Sequence, residues 1–100
     1  MENQHRKIKG YRELSQEEVD LMNRIKAKGA ELLALQAELT GRLVDDQSVK
    51  ARDSVKGQEQ EMEYKRFCAA EPLRWANIGK TDIQTGIMAL VRAVAQPSEC

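Results

Sequence analysis

Large aromatic side chains are scarce in this sequence: one Trp, two Tyr and one Phe make up 4% of 100 residues. A lone domain of this size is then short of material for a monomeric core, and burial between copies of the chain is the natural remedy. Histidine occurs once, at His5, and Cys68 and Cys100 have no metal-ligand spacing around them. Neither a zinc site nor a disulfide scaffold has its parts, and no Ser/His/Asp or Cys/His set can be assembled for nucleophilic catalysis. Net charge is also absent, 16 basic residues against 16 acidic, which argues against a general coat on DNA, RNA duplex or membrane. No apolar run reaches bilayer length and no signal peptide opens the sequence, so the expectation is a soluble cytosolic protein.

The sequence is instead rich in Ala, Glu, Lys, Leu and Arg, a composition that argues for helices. Ser15 with Glu18 three residues on reads as a capping box, and Glu17, Glu18 and Asp20 suit the positive end of a helix dipole. Behind them Met22, Ile25, Gly29, Leu32, Gln36, Leu39 and Leu43 recur at spacings of three and four, a packing seam that predicts a long helix over 15–44. Pro72 fits the first turn of another helix. From there Ala76, Ile83, Ile87, Leu90 and Val94 repeat the spacing until Pro97 stops it, giving a helix over 72–96. Residues 45–71 carry turn signals and helical composition without a clear apolar stripe, and read as a polar connector or as helix extensions at the outer end of a hairpin. Residues 1–14 form a basic arm, with one short helical turn over His5 to Lys9 broken by Gly10. The fold class is therefore all-α: a short N-terminal helix, then a long antiparallel helical hairpin in one domain of residues 1–100, paired with copies of itself. Gly29 and Gly86 lie on the two stripes, where a glycine signals close helix approach or a ligand against bare backbone.

Gly79-Lys80-Thr81 has the end of a phosphate-binding P-loop. The first glycine of that motif would fall at Arg74, however, and no strand precedes the run, so nucleotide hydrolysis is excluded. Lys80 and Thr81, with Asn77 one turn before and Arg74 nearby, read either as donors to phosphate oxygens or as a solvated helix face. Trp75 is assigned to core or interface packing first and to base stacking second. Tyr11 sits in the basic arm beside Arg6, Lys7, Lys9 and Arg12, where a tyrosine can act as a stacking platform for a base; the alternative is a solvated chain end. Lys28 reads as solvated, whereas Lys26, next to the seam, can reach across an interface to a phosphate or base edge. No cofactor or metal is implied, and catalysis has no candidate residues.

Two stretches resemble a known family. His5-Arg6-Lys7-Ile8-Lys9-Gly10-Tyr11-Arg12-Glu13-Leu14-Ser15, continuing into Met22-Asn23-Arg24-Ile25-Lys26, and the run from Arg74 to Pro97 are similar to the phage anti-CBASS sponge proteins. The second stretch is also similar to the hairpin of a sponge family that acts against Thoeris signalling. The resemblance implies a non-catalytic helical homohexamer in the host bacterial cytoplasm. It would bind cyclic dinucleotides, such as cyclic GMP-AMP, between protomers, and cyclic trinucleotides at separate sites, withholding both from the host effector. On this resemblance Tyr11 is the base-stacking residue and Lys26 the lysine of the dinucleotide pocket. The trinucleotide site uses an arginine and a threonine, which fall on Arg74 and Thr81, with Lys80 or Asn77 as alternatives for the basic position. Two other functions stand beside it: a small helical adaptor that binds a protein through its hairpin, and a compact DNA-binding regulator, which zero net charge disfavours.

Overall fold

The computed structural model describes residues 12–98. The short helix expected at His5 to Lys9, and Tyr11 itself, lie outside the described residues. Three α-helices follow in order: α1 (Gln16–Asp53), α2 (Gln58–Ala70) and α3 (Pro72–Ala95). Among the described residues there is no strand, and no helix is long and apolar enough to cross a membrane. The helices belong to two compact units, one of Met1–Glu31 with Ile83–Cys100, the other of Leu32–Asp82.

The capping box forms as the sequence predicts. The Glu18 N–H donates to Ser15 Oγ at 3.1 Å, and the Ser15 N–H donates to Glu18 Oε1 at 2.9 Å. Two otherwise orphaned amides are satisfied in this way. In the first unit α1 and α3 run antiparallel: Arg12 meets the carbonyls of Val94 and Ala95, and further along α1 Gly29 meets Ile87. Met22 and Ile25 are half-buried on one side, Ile83, Ile87, Val91 and Val94 on the other. Leu90 is not part of this stripe. It is 56% exposed, and Val91 takes the inward place.

In the second unit Phe67 and Ala76 are the buried apolar side chains among the described residues. Gln36 donates from Nε2 to the Ala76 carbonyl at 2.9 Å, so a polar stripe position is satisfied across two antiparallel helices. Leu32 and Leu39, expected on the seam, are 49% and 47% exposed, while Leu33 and Thr40 are half-buried in their stead. The reason is helical pitch. A strict heptad drifts by about 20° per repeat on an α-helix of 3.6 residues per turn, and a four-residue step from Gly29 to Leu33 absorbs the drift.

The long α1 continues to Asp53, past the end expected at Val44, and the chain turns between Ser54 and Gly57. The Ser54 side chain donates to the Ala51 carbonyl at 2.7 Å and the Lys56 N–H to the Asp53 carbonyl at 3.0 Å, so these two terminal carbonyls of α1 are partnered. The connector is thus mostly helix. Glu71 ends α2 in the left-handed conformation, with φ of 50°, and its N–H donates to the Cys68 carbonyl at 3.2 Å. Pro72 then disfavours right-handed helix at Glu71 and opens α3 at once.

Candidate functional site

On α3, Arg74, Asn77, Ile78, Thr81 and Asp82 line an open groove of about 490 Å³ in the second unit. Their spacing of three and four residues puts them on one face of the helix. Arg74, Asn77 and Thr81 are therefore brought together. Lys80, one residue off this face, is exposed and does not line the groove.

Each polar member already has a local engagement. The Arg74 guanidinium lies over the Trp75 ring, 5.2 Å from its centroid, and its Nε is 3.8 Å from Glu71 Oε1. Both contacts are exposed and weak enough to yield to a phosphate. Thr81 donates from Oγ1 to the Asn77 carbonyl at 3.3 Å, a long bond that a rotation about χ1 releases. Trp75 is 59% exposed and does not fill a core within this chain. Sequence reasoning missed Asp82. Its carboxylate opposes a phosphate at that edge of the groove and suits the amino group of a base.

Lys26 stands on α1 in the first unit, exposed and without an ion pair to another described residue. Tyr11, its expected companion, lies outside the described residues.

Arg12, read from the sequence as one charge of a basic arm, has a defined job. Its Nε donates to the Ala95 carbonyl at 3.0 Å and its Nη2 to the Val94 carbonyl at 2.8 Å. The same guanidinium holds Glu18 through both forks, Nη2 to Oε2 at 2.6 Å and Nη1 to Oε1 at 3.4 Å. Arg12 therefore closes the carbonyl end of α3, where a cation is favoured by the dipole, and ties it to the capping carboxylate of α1. Held by Arg12 first and by the Ser15 N–H second, the Glu18 carboxyl lies at about 2 instead of its ordinary 4.5. The sequence signal for this clamp was the capping box itself, because an arginine three residues before Ser15 is within reach of the capping glutamate.

A second polar cluster occupies the turn between α1 and α2. Lys50 Nζ is 2.9 Å from Glu63 Oε2 and 5.8 Å from the centroid of the Phe67 ring, and Arg66 grips the same carboxylate at 2.7 Å. Arg66 first, and Lys50 second, hold Glu63 at about 2. Asp53 is lowered by Lys56 and then Arg52. These pairs are internally matched and organise the turn. No group of three or more His, Cys, Asp and Glu able to hold a metal is found among the described residues.

Comparison with known proteins places this architecture in a family. The model of the Acb2/Tad1 hairpin domain matches residues 3–95. The chain is 64% identical to "Anti-CBASS protein 2" of Pseudomonas phage JBD67 over an alignment of 108 positions that covers the whole of both chains. The matched range takes in Tyr11 and Lys26 as well as the groove on α3.

Proposed function

Since the chain belongs to the Acb2/Tad1 hairpin-domain family, we propose that it is a phage counter-defence protein that binds cyclic di- and trinucleotide messengers of CBASS immunity and sequesters them intact in the host cytoplasm. The observation that carries this reading is the 64% identity to an anti-CBASS protein across the full length of both chains. The chemistry is compatible with it. Capture needs stacking surfaces and cationic donors, and Arg74, Asn77 and Thr81 put such donors on one helix face. Tyr11 and Lys26 are assigned to the dinucleotide pocket, Arg74 and Thr81 to the trinucleotide site, with Lys80 as the more distant alternative.

Assembly into a homo-oligomer, a hexamer on the family reading, belongs to the same proposal. Leu32, Leu35 and Leu39 lie at spacings of three and four on α1 and are 49%, 59% and 47% exposed. A second copy is the natural cover for this stripe. Sedimentation of the wild type as a hexamer, and of a Leu35→Lys/Leu39→Lys variant as smaller species, is the expected result. A wild-type monomer contradicts it.

The function is tested by incubating the protein with cyclic GMP-AMP, filtering, and heating the retentate. Intact nucleotide released on denaturation supports sequestration, whereas degraded nucleotide indicates an enzyme and free passage favours an adaptor. Tyr11→Ala or Lys26→Ala abolishes dinucleotide capture with the oligomer intact. Thr81→Ala weakens capture of a cyclic trinucleotide alone. Equal loss of both ligands in the Thr81 variant would show that there is one site, not two.

A further inference from the structure

We propose that Asp82 is a specificity-determining residue of the groove on α3, accepting a hydrogen bond from the exocyclic amino group of a base whose phosphate is held by Arg74, Asn77 and Thr81. This rests on the reading of that groove as the trinucleotide site. Asp82 lines the groove together with those three donors. It is exposed and forms no ion pair or hydrogen bond with another described residue. A helical carboxylate finds its partner three or four residues away. For Asp82 those positions are Ile78, Gly79, Thr85 and Gly86, none of which is charged. Lys80 is two residues away, where helical side chains do not face each other. Arg74, the cation that lines the groove, stands about 12 Å back along the helix axis and is engaged with Glu71 and Trp75. By contrast Asp53, Glu63 and Glu71 in the same unit each have a cationic partner.

In a groove that only had to hold phosphate such a group is a cost, because it repels the anion that Arg74 and Thr81 attract. It becomes useful when it meets another part of the nucleotide. A carboxylate offers acceptor oxygens and no donor. On a base edge the matching group is an amino: N6 of adenine, N4 of cytosine or N2 of guanine. A keto oxygen in the same place, as on uracil or hypoxanthine, meets the carboxylate acceptor to acceptor and is disfavoured. Donors to phosphate carry no information about the base, so within this groove Asp82 is the group that supplies it. Space for a flat ring is present beside it. Gly79, three residues before Asp82, presents bare backbone, and a Cβ built there meets nothing within 4 Å. Ile78 is the apolar member of the lining.

Cyclic triadenylate and cyclic triinosinate separate the amino group from everything else, since they carry an amino or a keto oxygen on the same purine ring with the same phosphates. Affinity for each is measured by calorimetry with the wild type, Asp82→Asn and Asp82→Ala, and cyclic GMP-AMP serves as the control for the separate dinucleotide pocket. The wild type should bind triadenylate roughly tenfold more tightly than triinosinate. Asparagine keeps the shape and adds an amide donor, so Asp82→Asn should bring the two ligands to within about threefold, chiefly by gaining triinosinate. Asp82→Ala should narrow the gap from the other side, by losing triadenylate. Affinity for cyclic GMP-AMP stays at the wild-type level in both variants. Equal affinity of the wild type for the two trinucleotides overturns the proposal and leaves the groove as the trinucleotide site. A uniform gain for both in Asp82→Asn means that the carboxylate only repels phosphate, and overturns it too. Loss of cyclic GMP-AMP in the same variants would make Asp82 a structural residue, again against the proposal. A wild type that holds cyclic GMP-AMP and neither trinucleotide refutes the reading of the groove itself, and the role of Asp82 with it.

Discussion

Gly29 is buried where α1 meets α3, and its missing side chain makes room for Ile87. A Cβ built there would fall on Ile87 Cδ1 and come within 2.6 Å of its Cγ1. Ile87 is β-branched and stiff at χ1 in a helix, so it cannot swing clear cheaply. Gly29→Ala gains up to about 1 kcal/mol of helix propensity and loses roughly 1–3 kcal/mol to overpacking. The expected net is a destabilisation of up to about 2 kcal/mol in urea unfolding; a stabilised variant would refute the close approach. Gly86 is the contrasting case. A Cβ there meets nothing within 4 Å, so the close approach that its place on the stripe suggested does not occur within the described residues. Spacing could flag both glycines as unusual. Only the positions of the opposing side chains distinguish the one under Ile87 from the one in open space.

The three helices differ in how far their sequences declare them. The start of α1 was legible because Ser15 and Glu18 form a local device that needs no tertiary partner, and α3 was legible at both ends through Pro72 and Pro97. The inward faces were legible to within one residue, with Leu33, Thr40 and Val91 replacing Leu32, Leu39 and Leu90, since a three-four pattern fixes a stripe but not its drift. The extension of α1 to Asp53 and the whole of α2 were legible only as one of two readings of residues 45–71, helix extension or polar connector, because polar helices carry no stripe to decide between them. The groove on α3 was half legible: helical spacing joins Arg74, Asn77 and Thr81, while the place of Asp82 among them needed the fold. In α2, Phe67 is the buried residue, 6% exposed among charged neighbours. A helix of 13 residues is marginal alone and depends on such an anchor. Phe67→Ala should cost about 3 kcal/mol, the low end for a phenylalanine because a two-helix site relaxes easily. Thermal unfolding measures the loss, and hydrogen exchange should show it first in α2; protection of α2 equal to wild type would mean that the ion pairs of Lys50 and Arg66 with Glu63 hold the helix without Phe67.

Among the described residues the buried apolar material is small, and the start of α1 and the turn after it are held by charge, which makes stability depend on acid in a definite sense. Glu18 and Glu63 both lie at about 2 in the folded chain against an ordinary 4.5, and Asp53 is lowered as well. A depressed carboxyl binds fewer protons folded than unfolded across that interval, so stability rises with pH through it. The contribution is fully present above about pH 4.5 and is lost progressively as pH falls toward about 2. The melting temperature should therefore be flat from about pH 7 to 5 and decline below that. Glu18→Gln and Glu63→Gln sharpen the expectation, since each removes a carboxylate that Arg12 or Arg66 prefers charged. Both variants should melt below the wild type at neutral pH, and the difference should shrink as the wild-type carboxylates protonate, closing near pH 2. Added salt should narrow the neutral-pH difference too, because these pairs are exposed and screened. A difference that persists undiminished at low pH would show that the two glutamates act through packing and not through their charge.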